Sequence, residues 1–423
     1  MKYYQRIADD ILRDKLSYCG AVEIKGPKWC GKSTTAARHA RSTVFMQDQR
    51  TKSRNILLAK NAPDKFLEGD TPRLIDEWQE IPFIWDQIRF EVDHRQNMGQ
   101  FILTGSATPL EEGAYSHSGI GRIVPMVMRP MSLFESEDSD GSVSLRALFE
   151  NDVVRTDVLN EKNLEEYAYL ICRGGWPQVK SVEKEKALKL ALNFYDGLIN
   201  EDINKVFKNR KNPERLKRVM RAYARAVSTE TSMGAIADDI NANEGLRIDQ
   251  RTTTSYLNAL EKLYVIEEMK AWNPNLRSKT AIRSSNTRHF VDPSLACAAL
   301  GIGPNDLMND MNTFGLLFES MCVRDLRVFA DKFDGEVLHY RDKDGLEVDA
   351  IVHLRNGSWG AIEVRLKSED LIDEGARHLL SLAGKVDRAK MKAPSFLMVL
   401  TASDYAYRRD DGVYVVPLGC LKD

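Results

Sequence analysis

Eight residues near the amino terminus, Gly26-Pro27-Lys28-Trp29-Cys30-Gly31-Lys32-Ser33, restrict the fold of this chain more than any other feature. They fit G-x-x-x-x-G-K-[ST]. They follow the apolar run AVEI at 21–24 and precede the helix-prone stretch 34–40, the strand–loop–helix setting in which such a loop grips phosphate. Gly26 and Gly31 let the backbone curl so that successive N–H groups face an anion, and the helix that starts around Thr34 adds its dipole. Lys32 is then placed to reach the β- and γ-phosphates, and the Ser33 hydroxyl to ligate Mg²⁺. The expectation is a nucleoside triphosphate bound with Mg²⁺ along residues 26–34, on a parallel α/β sheet.

The surrounding pattern fits such a sheet. Short apolar runs at 21–24, 43–46 (TVFM), 73–76 (RLID), 101–104 (FILT) and 123–128 (IVPMVM) alternate with helical stretches. The run Arg73-Leu74-Ile75-Asp76-Glu77 ends in two carboxylates. Asp76 is suited to hold Mg²⁺ through water and Glu77 to orient or deprotonate the attacking water; the alternative is two solvated acids at a strand end. If the FILT strand lies between the loop strand and the Asp76 strand, Thr104 or Ser106 senses the γ-phosphate. Gly119-Ile120-Gly121-Arg122 puts an arginine just before a strand. From there it projects to a neighbouring nucleotide and stabilises transition-state charge, or it is a plain surface arginine. Arg129 is the lesser candidate, and Cys30 reads as a small tolerated side chain rather than a redox switch.

In order, GPKWCGKST, RLIDEWQ, FILTGSAT, GIGR and MRPMSLFE, with Gly174-Gly175-Trp176-Pro177 further on, resemble the bacterial and archaeal AAA-type ATPases that carry a C-terminal domain of unknown function of the DUF4143 type. The resemblance spans nearly the whole chain. It implies a sheet with an additional strand, in which the Asp-Glu strand neighbours the sensor strand, and ATP rather than GTP. It also implies the roles above for Lys32, Ser33, Asp76, Glu77 and Arg122. A homo-oligomer is the arrangement in which Arg122 acts on a second copy. The resemblance supplies no cellular process.

With 423 residues the chain exceeds one ordinary core and suggests two to four domains. Sixty Lys and Arg against 62 Asp and Glu leave no global pull toward nucleic acid or membrane, so any such binding must be local. Six cysteines without paired spacing signal neither a zinc site nor a disulfide framework. The charged start is no secretory signal, no run is long and apolar enough to span a bilayer, and the expected compartment is cytoplasmic. The expected division is an ATPase domain at 1–135, a linker and helical region at 136–212 that opens on the acidic stretch 135–144, a winged helix-turn-helix at 213–300, and a restriction-endonuclease-like α/β domain at 301–423.

In the middle, Leu216, Val219, Met220, Tyr223 and Val227 share one helical face. Thr231 or Ser232 caps a second helix and Asp249 a third, and a strand-like VIEEM and a basic stretch follow. This order is the winged-helix plan. It turns Arg251, Thr252, Thr253 and Ser255 toward a DNA groove, with Arg277, Lys279 and Arg283 on phosphates, which would make binding steeply salt-dependent. The basic cluster at 205–225 leans the same way. The alternative is a protein-contacting or interdomain spacer with solvated charges.

At the end of the chain, LEVDAIVHL, the turn Arg355-Asn356-Gly357-Ser358 and WGAIEVRL predict a hairpin. A two-residue loop pairs Asp349 with Val364. A three-residue loop, 356–358, pairs Asp349 with Arg365 and puts Asp349, Glu363 and Arg365 on one face, with Glu319 on a preceding helix. That set resembles the D…E-x-K site of restriction-endonuclease-like nucleases and would hold a divalent ion. The motif lysine is Arg365 here, and an arginine fork is no equivalent of a compact ammonium; the alternative is a degenerate nuclease fold. Three functions remain open: an ATPase driving a nuclease-like tail, a nucleotide-gated DNA-binding regulator, and an interaction scaffold that touches no nucleic acid.

Overall fold

The computed structural model describes residues 2–105, 119–152, 154–202, 212–245, 247–274 and 285–423. Ser106, Arg277, Lys279 and Arg283 lie outside the described residues, as do Lys205, Lys208, Arg210 and Lys211.

After helix α1 (Ile7–Tyr18) come strand β1 (Ala21–Lys25), α2 (Lys32–His39), β2 (Ser42–Phe45), α3 (Lys52–Asn61), α4 (Pro63–Leu67), β3 (Arg73–Asp76), α5 (Ile84–Arg95), β4 (Phe101–Gly105) and β5 (Ile123–Val127). The five strands form one parallel sheet in the order β2-β3-β4-β1-β5. β4 lies between the loop strand and the Asp76 strand, as expected. Parallel sheets need cover on both faces, so their strands are apolar throughout, and the period of two sorts the residues. Ala21, Ile75, Phe101, Leu103 and Ile123 join one core with Trp78, Trp85 and Ile88. Val22, Ile24, Leu74, Ile102 and Met126 join a second with Ala8 and Leu12.

The acidic stretch that reads as a linker is irregular but not a tether. Glu135, Ser136 and Ser139 are buried, and Asp138 pairs with Arg173 at 2.9 Å and Lys180 at 3.2 Å. Strand β6 (Val143–Ser144) runs parallel to β14 (Leu421–Lys422). Its carboxylates are spent on internal partners, which composition alone does not reveal.

The middle holds α6 (Leu145–Glu150), β7 (Val158–Leu159), α7 (Leu164–Arg173), α8 (Lys184–Gly197), α9 (Pro213–Arg225), α10 (Met233–Asn243) and α11 (Gln250–Lys262). The five expected inward residues, Leu216 to Val227, are all buried. Ser232 caps α10 by accepting from the Ala235 amide at 3.1 Å, and Asp249 caps α11 by accepting from Thr252 at 2.6 Å. Antiparallel bridges Ile266–Phe290 and Met269–Thr287 follow.

Then come α12 (Pro293–Leu300), α13 (Pro304–Asn309), α14 (Met311–Asp331), β8 (Gly335–Arg341), β9 (Glu347–Leu354), β10 (Trp359–Arg365), α15 (Glu369–Lys385), β11 (Phe396–Thr401), β12 (Tyr405–Arg408) and β13 (Tyr414–Pro417). A seven-stranded mixed sheet runs β7-β12-β13-β11-β10-β9-β8. One apolar core continues from the middle helices into this sheet. No helix among the described residues is long and apolar enough to cross a membrane.

Candidate functional site

The loop between β1 and α2 is built as its glycines require. Gly26 has φ 146° and Gly31 φ 104°, and a Cβ on Gly26 would collide with the Met128 carbonyl. Trp29 also sits at positive φ, 66°, a conformation that costs a non-glycine residue energy. Its half-exposed ring lies 5.3 Å from Phe194, which in turn lies 4.3 Å from Trp176, so this contact with the middle helices offsets the strain. Cys30 is fully buried with its thiol toward the Met128 carbonyl at 3.3 Å, the small tolerated side chain expected.

Lys32 is buried, and its ammonium donates to the carbonyls of Gly26 at 2.9 Å and Pro27 at 2.7 Å. It is thus folded over the loop it belongs to. A cavity of about 550 Å³ opens beside it, a size suited to a small ligand. Lys28, Trp29 and residues 31–34 line it together with Gln47, Glu77, Pro177 and Gln178. Glu77 is in the left-handed region at φ 57°, and its carboxylate accepts a short hydrogen bond from Gln79.

Asp76 is buried at the strand end and accepts from the Thr104 hydroxyl at 2.6 Å, while the Glu77 amide donates back to that hydroxyl at 3.3 Å. Thr104 is fully buried, so its hydroxyl braces the two acids instead of facing the cavity. One hydroxyl, Ser33, and one carboxylate, Asp76, are hard oxygen donors that fit Mg²⁺. Gln47, Pro177 and Gln178 were not among the expected site residues. The Gly174–Pro177 run was the only signal for the last two.

Arg122 lies elsewhere. Its carbonyl accepts from Ala21 at 3.0 Å, at the start of β1, while the loop leaves the other end of that strand, roughly 16 Å away at the usual rise per residue. Its guanidinium bonds Asp93 at 2.9 Å. Arg122 therefore cannot serve the loop of its own chain. Arg129 is removed from candidacy: it is clamped between Glu267, at 2.6 and 2.7 Å, and Asp331. These bonds tie the end of the first sheet to the middle and to α14.

In the C-terminal sheet the hairpin takes neither expected register: it lies one position from the two-residue-loop pairing and two from the three-residue one. Trp359 faces His353 and Ile362 faces Ala350, so the loop is 355–357 and Asp349 comes opposite Glu363. The common face survives because the shift of two positions from the three-residue register preserves parity. Arg365 hydrogen-bonds Asp349 at 3.0 Å and forms an ion pair with Glu363 at 2.5 Å, and His378 approaches Glu363 at 3.3 Å. Burial, followed by the Asp349 charge, pushes the Glu363 carboxyl well up despite Arg365, and Glu319 is raised for the same reasons. A guanidinium thus occupies the place between the carboxylates where the expected divalent ion would sit. Among the described residues no group of three or more His, Cys, Asp or Glu is placed to hold a metal.

Arg251 is exposed on the outward face of α11, which with Thr254, Ser255, Asn258 and Lys262 lines an open concavity of about 760 Å³. Thr252 is half-buried at the helix start and Thr253 is buried. Three residues of the described part of the basic cluster are paired with acids of the same region. Arg225 pairs with Asp239 at 2.6 Å and Glu244 at 2.9 Å, Arg221 with Glu244 at 3.4 Å, and Lys217 with Glu214 at 3.2 Å.

Three family models match the chain: an AAA domain at residues 20–137, a domain of unknown function, DUF8612, at 164–306, and a second, DUF4143, at 314–421. No curated protein matches. Among solved structures, a Walker-type ATPase of Pyrococcus abyssi is 17% identical, with 70% of this chain and 96% of that one covered at a TM-score of 0.43. A DNA replication initiation factor is 16% identical over 60% and 86%, at 0.28. An assembly of Thermococcus gammatolerans McrB AAA+ hexamers with bound McrC is 11% identical over 48% and 70%, at 0.16. The loop and the acid-tipped strand beside it lie within the AAA match, so the chain joins an AAA domain at residues 20–137 to a DUF4143 domain at 314–421.

Proposed function

We propose that the protein hydrolyses Mg-ATP in the cavity beside Lys32 and uses the nucleotide state to control nucleic-acid binding by the middle helices, without cutting the nucleic acid. The observation that carries this reading is the convergence of Lys28, Trp29, residues 31–34, Glu77 and Gln178 on one cavity. In this reading Gly26, Pro27, Lys28, Trp29, Cys30, Gly31 and Thr34 shape the phosphate cradle, and Lys32 exchanges its two carbonyl partners for phosphate oxygens. Ser33 and Asp76 would hold the Mg²⁺, which neutralises charge on the phosphates when bound. Glu77 takes the proton of the attacking water, Thr104 keeps both acids in place, and Arg122 serves the nucleotide of a neighbouring copy in a homo-oligomer.

The order of α9, α10, α11 and the paired segments after them supports a winged helix, with the polar outer face of α11 as its reading surface. Its side chains, Arg251 and Asn258 above all, are types that read base edges or phosphates. The sheet and flanking helices around Asp349 and Glu363 support a restriction-endonuclease-like unit, and the Arg365 bridge supports its being inert as a nuclease. The test is ATP turnover with and without duplex DNA, with DNA retention followed across salt and the DNA then run on a gel. Turnover that responds to DNA, salt-sensitive retention and intact DNA are expected. Magnesium-dependent nicking lost in Asp349→Ala would replace this reading with the nuclease one. DNA retention absent at every salt concentration would leave a protein-contacting scaffold.

A further inference from the structure

The segment ahead of β1 holds the phosphate loop through residues that do not line the cavity. Arg6 is buried, and its guanidinium makes three kinds of contact. One nitrogen donates to the Cys30 carbonyl at 2.6 Å, a second to the Arg129 carbonyl at 2.8 Å, and the third pairs with Glu135 at 3.1 Å. Glu135 is itself fixed by the amides of Ile7 at 2.8 Å and Ser132 at 2.9 Å. On either side, the Tyr3 hydroxyl meets Thr35 of α2 at 2.9 Å, and Asp9 meets His39 at 2.8 Å.

The Cys30 contact bears on the nucleotide. In a trans peptide the carbonyl and the following N–H point in opposite directions. A guanidinium that pulls the Cys30 carbonyl outward therefore turns the Gly31 N–H inward, and Gly31 lines the cavity. Backbone N–H groups aimed at one point are what a phosphate loop offers its anion. Left unheld, a glycine-flanked peptide is free to rotate its carbonyl into the cradle, where it would repel phosphate.

We propose that Arg6 is a positioning residue for the phosphate loop, locking the Cys30–Gly31 peptide with its N–H toward the bound phosphates. The proposal rests on the reading of this cavity as the nucleotide site. The planar fork matters because three acceptors lie in three directions, and an ammonium cannot reproduce that set.

The test uses the full chain with Mg²⁺, measuring Kd for ATP and ADP by calorimetry and KM against kcat by phosphate release. Arg6→Gln should raise Kd and KM about 10-fold, the factor expected for one charge-assisted hydrogen bond. Turnover at saturating ATP should stay within about 2-fold, because Glu77 and the water are untouched. Arg6→Lys should fall between the two. Glu135→Gln, which keeps the guanidinium but loosens its hold, should shift KM in the same direction by less. If the parent binds ATP and Arg6→Gln matches its Kd and KM, the proposal is overturned; a fall in kcat at constant KM overturns it equally. Should Arg6→Gln not fold, Arg6→Lys and Glu135→Gln decide by the same split. Failure of the parent to bind any triphosphate would instead remove the site reading.

Discussion

The acids at the end of β3 and those of the C-terminal hairpin each meet a cation, and the two places are built in opposite ways. At the end of β3 Glu77 lines a cavity with Asp76 buried next to it, and the cation lining the same cavity, Lys32, donates to backbone carbonyls of its own loop. Those bonds can be exchanged for phosphate oxygens at little net cost. In the C-terminal sheet Asp349 and Glu363 are bridged by Arg365 from their own hairpin. Here a guanidinium already sits against both acids, and an incoming cation would have to displace a covalently tethered one. The same residue types make a receptive site in one place and a closed one in the other, and what differs is where the counter-charge is anchored.

Lys32→Ala breaks the first half of this contrast most completely. Removing the ammonium should weaken ATP binding on the order of 100-fold or more, the loss of a charge-assisted donor to a polyanion, and calorimetry would read it directly. Unchanged affinity would mean that the cavity does not bind phosphate through this loop. Glu77→Gln separates binding from chemistry. Affinity should remain, and turnover should fall by about two orders of magnitude, as for loss of a general base; equal turnover would show the base to be misassigned.

Arg365→Ala sharpens the second half. If the hairpin acids are closed only because the guanidinium is tethered between them, its removal should let Mn²⁺ bind with measurable heat where the parent shows none. The unfolding midpoint should drop at neutral pH, because an unpaired buried carboxylate is costly. That drop should shrink at lower pH, since Glu363 already holds its proton unusually well. Mn²⁺ binding by the parent would refute the contrast, as would its absence in Arg365→Ala with the fold intact.

These two sites also differ in how far the sequence discloses them. The phosphate loop, the acid-tipped strand and the strand between them are local patterns, and a parallel sheet with both faces buried leaves their registers little freedom. Pro177 and Gln178 reach the same cavity from a distant part of the chain, and no local spacing places them there. Arg6 is similar: its role comes from the Cys30 carbonyl it meets, and nothing about an isolated arginine announces that. In the tail, strand parity correctly groups Asp349, Glu363 and Arg365, but turn chemistry left the loop one residue off. The bridging of the two acids by Arg365 is a side-chain geometry that spacing does not encode. The partners of Arg129 and of the acids at 135–144 were illegible for the same reason, because burial with an internal partner makes a charge structural however exposed its composition looks.

The smallest expected effect concerns the seam that joins the two regions. Burial alone would raise the Glu267 carboxyl, but the Arg129 and Arg327 guanidinium groups outweigh it and hold it at about 2, below its usual 4.5. A carboxylate with a lowered folded-state value stabilises the fold above its unfolded value and loses that contribution as protons are forced on. Glu267 should therefore support the seam fully above about pH 4.5, with the support declining toward pH 2. His339, lowered by burial to about 4, adds an earlier component of the same sign: the unfolded chain takes up its proton near pH 6.5 while the folded one resists, so stability already begins to fall there. Urea unfolding midpoints followed from pH 7 to pH 3 should thus decline in two stages, and Glu267→Gln should flatten the lower one while leaving the upper in place. A Glu267→Gln profile parallel to that of the parent throughout would mean that Arg129 clamps the seam through Asp331 alone.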